Sequence, residues 1–286
     1  MDLIPVIDFD VYRLGLGEEW GGGAFFEVGF VYLKNSFGMF SPVENVIAIS
    51  FTFASKHSKS SFKRGGYANS INHGWFLNRD RKVWLSISLN PLRPGDLKEA
   101  FNTVLMVFRG IQMSFFLRRK ELTLRVLRVM ALSLGLESSV FLKAHKCIGS
   151  DTNGTTLRSL HYPPVKSEHV KVGQIRCGEH SDYGTITLVF QSHEDGLQVL
   201  SRKGEYVSVP SIPGAVLINT ADLMQRLDSL MVLLPPLVIQ AHACHWLSLC
   251  RWMTRPSSLV MEQTSTLQRG QKITSWKDSR TCMAEI

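Results

Sequence analysis

The sequence predicts a mostly β protein with flanking α-helices. After Ser150 the chain is built of short segments rich in β-forming residues and separated by Gly, Pro or charged turns. Such spacing is typical of a sandwich, a barrel or a jelly roll. Before these segments lies one long stretch with the apolar periodicity of a core-facing helix. The β segments read LRSLHYPP, VGQIRCG, TITLVFQ, LQVLS, YVSVP and AVLINTA.

Composition and charge exclude several classes of protein. The chain has 286 residues, of which 44% are hydrophobic and 20% charged, so general disorder is not expected. The net charge of +8 is spread along the chain without a recognition motif, and we expect no nucleic-acid partner. The five cysteines form no CxxC pair, which favours reduced thiols in a cytoplasmic protein.

The N-terminal third reads as short strands, turns and loops. IPVIDF is predicted to be a strand, and FFEVGFVYL a helix end or a second strand. GLGEEWGGG is interpreted as a flexible turn, because Trp20 stands where a dinucleotide-binding loop needs its third glycine. Residues 55–75 read as a loop. DLKEAFN is predicted to open a helix, with Asp96 as its N-cap.

The strongest helix signal runs from about Gln112 to Leu134. Leu122, Val126 and Met130 recur at four-residue steps toward Leu134, which predicts one buried face. Gly135 is a natural stop. Nothing resembles a signal peptide, and the late apolar run LMVLLPPLVIQ is broken by prolines and too short to span a bilayer. We therefore expect no membrane partner.

The segment CGEHSDYGTITLVFQ places His180 and Asp182 two residues apart, at the mouth of an apolar strand. Residues at this spacing on a strand point to the same face. An imidazole and a carboxylate on one face suit two ligands of one divalent metal, as in non-haem Fe(II) sites. A solvated histidine in a surface turn is the alternative interpretation of so short a triplet.

The surrounding motifs carry a family resemblance. In order they are LRSLHYPP with Tyr162, HSDYGTITL with His180 and Asp182, then GLQVL and PGAVLINTADLMQ. Together they resemble the isopenicillin N synthase-like group of Fe(II)/2-oxoglutarate dioxygenases, over about residues 3–35 and 90–226. The resemblance implies a double-stranded β-helix, a jelly-roll core flanked by helices. It implies iron held by His180, Asp182 and a later histidine, with Tyr162 hydrogen-bonding 2-oxoglutarate.

The resemblance also implies an activity. Fe(II), 2-oxoglutarate as co-substrate and O2 would support hydroxylation, desaturation or cyclisation of a small organic substrate by a monomeric oxidoreductase. Asn219, Asp222 and Gln225 would be structural.

The chain departs from this pattern after Arg226. Leu230 and Met231 occupy the positions of the family's H-R pair, and no R-x-S follows. We hypothesise an internal deletion after Arg226 and a shifted reading frame after Pro236, leaving the jelly roll incomplete. His242 or His245 could replace the missing ligand. The alternative function is a catalytically impaired variant that lacks the third iron ligand and the arginine that binds 2-oxoglutarate.

Three regions are expected. Residues 1–110 form the family's N-terminal region of mixed helix, strand and loops. Residues 111–226 form the jelly-roll domain, and residues 227–286 form a divergent, poorly ordered tail without strand pattern. Near the His-x-Asp triplet, Arg176 and Glu179 are expected to make a surface ion pair, with substrate binding as the alternative. Cys177 is not expected to be a nucleophile, for want of a nearby base.

Overall fold

The structure is a computed structural model. It describes residues 4–10, 28–35, 74–77, 86–88, 94–103, 111–150, 153, 155–162, 165, 167–182, 184–191, 195–201, 203–224, 239–241 and 247–253.

The elements follow one another with the following bounds. The strands are β1 (Val6–Asp8), β2 (Phe30–Lys34), β3 (Gly74–Leu77), β4 (Ser86–Ser88), β5 (Glu99–Thr103), β6 (Thr156–Tyr162), β7 (Cys177–Asp182), β8 (Ile186–Gln191), β9 (Leu197–Leu200), β10 (Tyr206–Ser208), β11 (Ala215–Thr220), β12 (Ile239–Ala241) and β13 (Leu247–Met253). The helices are α1 (Ile111–Ser133) and α2 (Val140–Ala144), and a 3₁₀ turn spans Ser167–His169.

The strands form two sheets. The larger sheet has the order β1-β2-β11-β8-β13-β6-β5-β3, and the smaller has the order β10-β9-β12-β7-β4. From β6 onward the chain crosses repeatedly between the sheets, since β6, β8, β11 and β13 lie in the larger sheet and β7, β9, β10 and β12 in the smaller. All these later pairings are antiparallel. This alternation is that of a jelly roll, as the sequence predicted.

The larger sheet separates two apolar layers. Ile186, Leu188 and Phe190 of β8 pack in a cluster with α1, whereas Val189 of the same strand packs in a second cluster with Leu197 of β9. Because side chains alternate across a strand, each strand serves both layers. The second cluster contains residues of both sheets, among them Cys177 of β7, and so lies between the sheets.

Helix α1 confirms the predicted helix within a residue or two at each end. Leu122, Val126 and Met130 are buried against the larger sheet, as their spacing indicated. Arg119 is also buried on this face, and its guanidinium stacks on the rings of Phe115 at 3.7 Å and Phe190 at 4.4 Å. The helix therefore packs against β8 through both apolar side chains and a cation–π contact.

Gly135 ends α1 in the left-handed conformation, with φ +66°, and its N–H donates to the carbonyl of Leu132 at 2.9 Å. We expect Gly135→Ala to lower the free energy of unfolding by about 1 kcal/mol, because an L side chain is strained at this φ. No crowding adds to the cost, since no described residue other than the chain neighbours lies within 4 Å of the Cβ position. Urea unfolding would measure the effect. Gly135→Asn should lower the free energy of unfolding by less than Gly135→Ala, because asparagine tolerates a positive φ better. Equal decreases for both variants would contradict the argument.

Two predictions of local structure were wrong. DLKEAFN does not open a helix, because Glu99–Thr103 forms strand β5, paired with β3 and β6. The stretch after residue 226 was expected to lack strands, yet β12 pairs with β7 and β9, and β13 pairs with β6 and β8. In both places backbone hydrogen bonds to distant strands override the local pattern. The three-region division of the chain stays a prediction.

Candidate metal centre

Strand β7 brings the two predicted metal ligands together. His180 and Asp182 are 3% and 1% exposed, and the imidazole Nε2 lies 3.7 Å from the carboxylate Oδ1. The strand is paired on both edges, with β12 and β4, so the backbone that carries them is fixed. The structure thus confirms that these side chains share one face, and it rules out a solvated histidine in a surface turn.

The hydrogen bonds of His180 determine which ring nitrogen is available. Nδ1 lies 2.7 Å from the carbonyl oxygen of Gly178, which can only accept, so Nδ1 carries the proton and donates. In the neutral ring Nε2 then presents a lone pair beside Oδ1 of Asp182. Two lone pairs that converge in a buried space are a fitting environment for a cation. The donor set of one imidazole and one carboxylate therefore suits Fe(II).

The other oxygen of Asp182 has a different partner. Asn219 of β11 is fully buried, and its Nδ2 donates to Asp182 Oδ2 at 3.3 Å and to the carbonyl of Thr220 at 3.0 Å. The carboxylate therefore has one oxygen held by an amide and one directed toward His180.

A second brace reaches β7 from the segment before β5. Asp96 Oδ1 accepts the backbone N–H of Gly178 at 2.9 Å, and Asp96 Oδ2 pairs with the Lys98 ammonium at 2.7 Å. The carbonyl oxygen of Gly178 in turn accepts a hydrogen bond from the ring N–H of His180. The expected helix cap at Asp96 is thus replaced by a contact that fixes the backbone beside His180, a predicted metal ligand.

Cys177 has closer polar neighbours than the sequence indicated. Its Sγ lies 3.1 Å from Lys98 Nζ and 3.8 Å from His180 Nδ1, and the side chain is buried. The expectation that no basic group lies near Cys177 was therefore wrong.

Glu179, on the other side of the strand, hydrogen-bonds Tyr206. Burial, and next the charge of Glu179, raise the pKa of the Tyr206 phenol to about 12. Glu179 therefore does not join the metal pair.

Tyr162 lies at the end of β6, 1% exposed, in the same inter-sheet cluster as Cys177. Leu160 shares this cluster. His242 and His245, proposed as replacements for the third ligand, lie outside the described residues, as do Gln225, Leu230 and Met231. Within the described part of the chain, no group of three or more His, Cys, Asp or Glu side chains could hold a metal.

His145 secures the turn that follows Asp182. It is buried at the C-terminal end of α2, where Nδ1 donates to the carbonyl of Phe141 at 2.7 Å and Nε2 accepts from the hydroxyl of Thr185 at 2.9 Å. Burial lowers the pKa of His145 to about 4, against the weaker opposing effect of the Phe141 carbonyl. The ring is therefore neutral at physiological pH.

This lowered pKa predicts a loss of stability in acid. Between pH 6.5 and pH 4 the unfolded chain binds a proton at His145 and the folded chain does not, so stability falls as the pH drops through that window. The loss is about 3 kcal/mol. Urea unfolding in the presence of a chelator should show a shallower pH dependence for His145→Gln than for the wild type. Parallel curves would contradict this.

The sequence did not reveal three residues that shape the site. Asn219 was assigned a structural role, and its bond to Asp182 spans 37 positions. Asp96 and Lys98 were interpreted as the start of a helix, and their contacts with Gly178 and Cys177 span 82 and 79 positions. No local signal marks such contacts, because they depend on which strands become neighbours.

Comparison with known proteins shows which family of oxygenases part of the chain resembles. Residues 153–232, which include Tyr162, His180 and Asp182, match the family model of the 2OG-Fe(II) oxygenase superfamily. This segment of the chain is therefore similar to the superfamily. Members of the 2OG-Fe(II) oxygenase superfamily use Fe(II), 2-oxoglutarate and O2. These are the cofactors that the family resemblance implied.

Individual oxygenases extend the match. The chain is 38% identical over 122 residues to the 2-oxoglutarate-Fe(II) type oxidoreductase hxnY of Emericella nidulans, covering 42% of this chain and 33% of that protein. It is 28% identical over 143 residues to gibberellin 2-beta-dioxygenase 2 of Arabidopsis thaliana, covering 50% and 41%. The chain spans 30–37% of the length of the first three curated relatives it matches.

The fold of the oxygenase superfamily extends over most of the chain. The crystal structure of a full-length Neurospora crassa protein in complex with alpha-KG has a TM-score of 0.72 and 27% identity, and the match covers 89% of this chain and 86% of that one. A 2OG-Fe(II) oxygenase family protein from Caulobacter crescentus has a TM-score of 0.66 at 19% identity, covering 90% and 88%. These neighbours confirm the jelly-roll prediction.

No helix among the described residues is long and apolar enough to cross a bilayer.

Proposed function

We propose that the chain is an Fe(II)- and 2-oxoglutarate-dependent oxidoreductase that hydroxylates, desaturates or cyclises a small organic substrate. The observation that carries the proposal is the buried pair of His180 Nε2 and Asp182 Oδ1, which lie 3.7 Å apart. The His180 proton is on Nδ1, where it is donated to the Gly178 carbonyl. The superfamily match over residues 153–232 supplies the reaction class.

The residues of the chain would divide the work as follows. His180 and Asp182 would hold the ferrous ion, which when bound supplies oxygen activation driven by oxidation of 2-oxoglutarate. Tyr162 would hydrogen-bond the carboxylate of 2-oxoglutarate from β6. The apolar side chains between the sheets, including Leu160, Val189 and Leu217, would exclude water from the reaction. The Gly178 carbonyl keeps the His180 proton on Nδ1, so Nε2 carries the lone pair that a metal requires.

The proposal is tested by an anaerobic Fe(II) titration followed by turnover in air. Calorimetry should show one Fe(II) site, and the loaded protein should then convert 2-oxoglutarate to succinate and CO2 while consuming O2. Even without the natural substrate, slow uncoupled conversion is expected. Absence of both Fe(II) binding and succinate release from folded protein would refute the function.

The same titration separates an active enzyme from an impaired variant. The described residues provide two protein ligands, and the third position is left to residues outside them. We propose His242 or His245 for this position. Loss of affinity in only one of His242→Ala and His245→Ala would identify the ligand. Unchanged affinity in both variants, together with weak binding and no turnover in the wild type, would indicate a catalytically impaired variant.

The substrate is proposed only as a class. The Neurospora crassa protein has been crystallised with alpha-KG and thymine, and JOX2 with 2OG, Fe and JA, so structural neighbours accept small organic molecules of different shape. We propose a small organic substrate for this chain as well. Screening small heterocycles and organic acids for accelerated succinate release would define the class further.

The subfamily and the late segment are also matters of proposal. The motif order favours the isopenicillin N synthase-like group, and the family match ends at residue 232. That end point lies within the segment where we propose a deletion after Arg226 and a frame change after Pro236. Sequencing the transcript would test this, and an uninterrupted genomic frame through the segment would refute it. A cytoplasmic monomer without membrane or nucleic-acid partners remains our prediction.

A further inference from the structure

We propose that Asn219 is a positioning residue that holds the Asp182 carboxylate so that one oxygen alone faces the metal. The inference rests on the proposed iron site formed by His180 and Asp182. It concerns a residue of a different strand, β11, that the sequence marked only as structural.

The two carboxylate oxygens of Asp182 have distinct surroundings. Oδ2 accepts from Asn219 Nδ2 at 3.3 Å, whereas Oδ1 lies 3.7 Å from His180 Nε2. A carboxylate without such a donor on one oxygen can present either or both oxygens to a metal. The amide of Asn219 removes this freedom, because rotation of Asp182 would break the hydrogen bond in a buried space.

The orientation of the Asn219 amide is fixed by its partners. Nδ2 contacts Asp182 Oδ2 and the carbonyl oxygen of Thr220, and both of these atoms are acceptors. The reversed amide would bring its own oxygen against two oxygens. The NH2 group must therefore face Asp182.

The backbone beneath the amide is also fixed. Strand β11 is hydrogen-bonded on both edges, with Asn219 opposite Phe30 of β2 and Thr187 of β8. Asn219 sits in the run AVLINT, whose other central residues Val216, Leu217 and Ile218 are buried and apolar. The amide thus projects from a rigid support.

An asparagine at position 219 lowers the stability of the fold, so a purely structural role does not explain it. Its Oδ1 is buried and makes no hydrogen bond within the described part of the chain. An unsatisfied buried acceptor costs about 1–3 kcal/mol, and asparagine is a poor strand former. A leucine of similar size would fill the same space without this cost. What the asparagine provides, and leucine cannot, is the donor to Asp182.

The test compares Asn219→Leu with a control on the same strand. Thr220→Val is matched, because Thr220 is buried next to Asn219, faces the opposite side of β11, and has a hydroxyl without a partner among the described residues. Anaerobic calorimetry should show that Asn219→Leu weakens Fe(II) binding by about 10–100-fold. Thr220→Val should bind Fe(II) like the wild type.

A second measurement separates positioning from structural damage. The visible absorption spectrum of protein saturated with Co(II) reports the ligand geometry around the metal. We expect it to change in Asn219→Leu and not in Thr220→Val. If Asn219→Leu does not fold, Asn219→Ala and Asn219→Ser are tested instead by Fe(II) calorimetry and the Co(II) spectrum.

The outcomes distinguish this inference from the proposed function. Wild-type affinity and spectrum in the Asn219 variants, with Fe(II) bound by the wild type, would overturn the role of Asn219 alone. An equal loss of affinity in Thr220→Val would overturn it too, as a general effect of disturbing β11. Failure of the folded wild type to bind Fe(II) would overturn both the proposed function and this inference.

Discussion

Replacement of Asp182 by alanine is expected to abolish specific Fe(II) binding and 2-oxoglutarate turnover. The substitution removes one of the two proposed metal ligands, and it leaves the Asn219 amide with the Thr220 carbonyl but without the Asp182 acceptor. Loss of a residue that merely supports a ligand costs about 10–100-fold in metal affinity. Loss of the ligand itself should therefore exceed about 100-fold. Anaerobic calorimetry and succinate release measure the two effects.

The control for this variant lies on the same strand. Glu179→Gln changes a carboxylate of β7 that hydrogen-bonds Tyr206 and does not face the metal pair. It should bind Fe(II) and release succinate at wild-type levels. If Asp182→Ala retained wild-type affinity, the metal would bind elsewhere and the assignment of the His180–Asp182 pair would be wrong. Far-UV circular dichroism of each variant confirms that folded protein is compared.

Much of the fold could be predicted because its signals are local. The segments LRSLHY and AVLINT are strands in the structure, as their β-branched and aliphatic residues and flanking turns indicated. The four-residue spacing from Leu122 to Met130 predicted α1, since a helix buries residues that recur at its own period. The same holds for His180 and Asp182, whose two-residue spacing is sufficient to place them on one face of β7.

The errors arise where distant pairing decides the structure. DLKEAFN has good helix formers, yet Glu99–Thr103 gains backbone hydrogen bonds from β3 and β6 that a helix would forgo. The sequence of residues 247–253 has no clear strand or helix periodicity. The segment still forms strand β13, because it is hydrogen-bonded to β6 on one edge and to β8 on the other. The support of the site by Asn219 and Asp96 escaped prediction for the same reason.

Lys98→Met is expected to lower the free energy of unfolding by about 3–5 kcal/mol, the cost of breaking a buried ion pair by removal of one partner. The Lys98 and Asp96 side chains are 5% and 15% exposed, with 2.7 Å between ammonium and carboxylate. Burial alone would lower the pKa of Lys98, but the charges of Cys177 and Asp96 raise it above its usual value. The ammonium therefore stays charged, and its loss removes the counter-charge 2.7 Å from the Asp96 carboxylate.

Urea unfolding of single and double variants measures this cost. Lys98→Met combined with Asp96→Asn should be more stable than Lys98→Met alone. The carboxylate charge that Lys98 no longer balances is then gone, and the new amide oxygen can still accept from the N–H of Gly178. Arg125→Met is the matched control, since it breaks the exposed pair with Glu121 on α1 and should cost less than about 0.5 kcal/mol. A loss below about 1 kcal/mol for Lys98→Met would show that the pair does not brace β7. Strictly additive losses in the double variant would contradict the coupling between the two side chains.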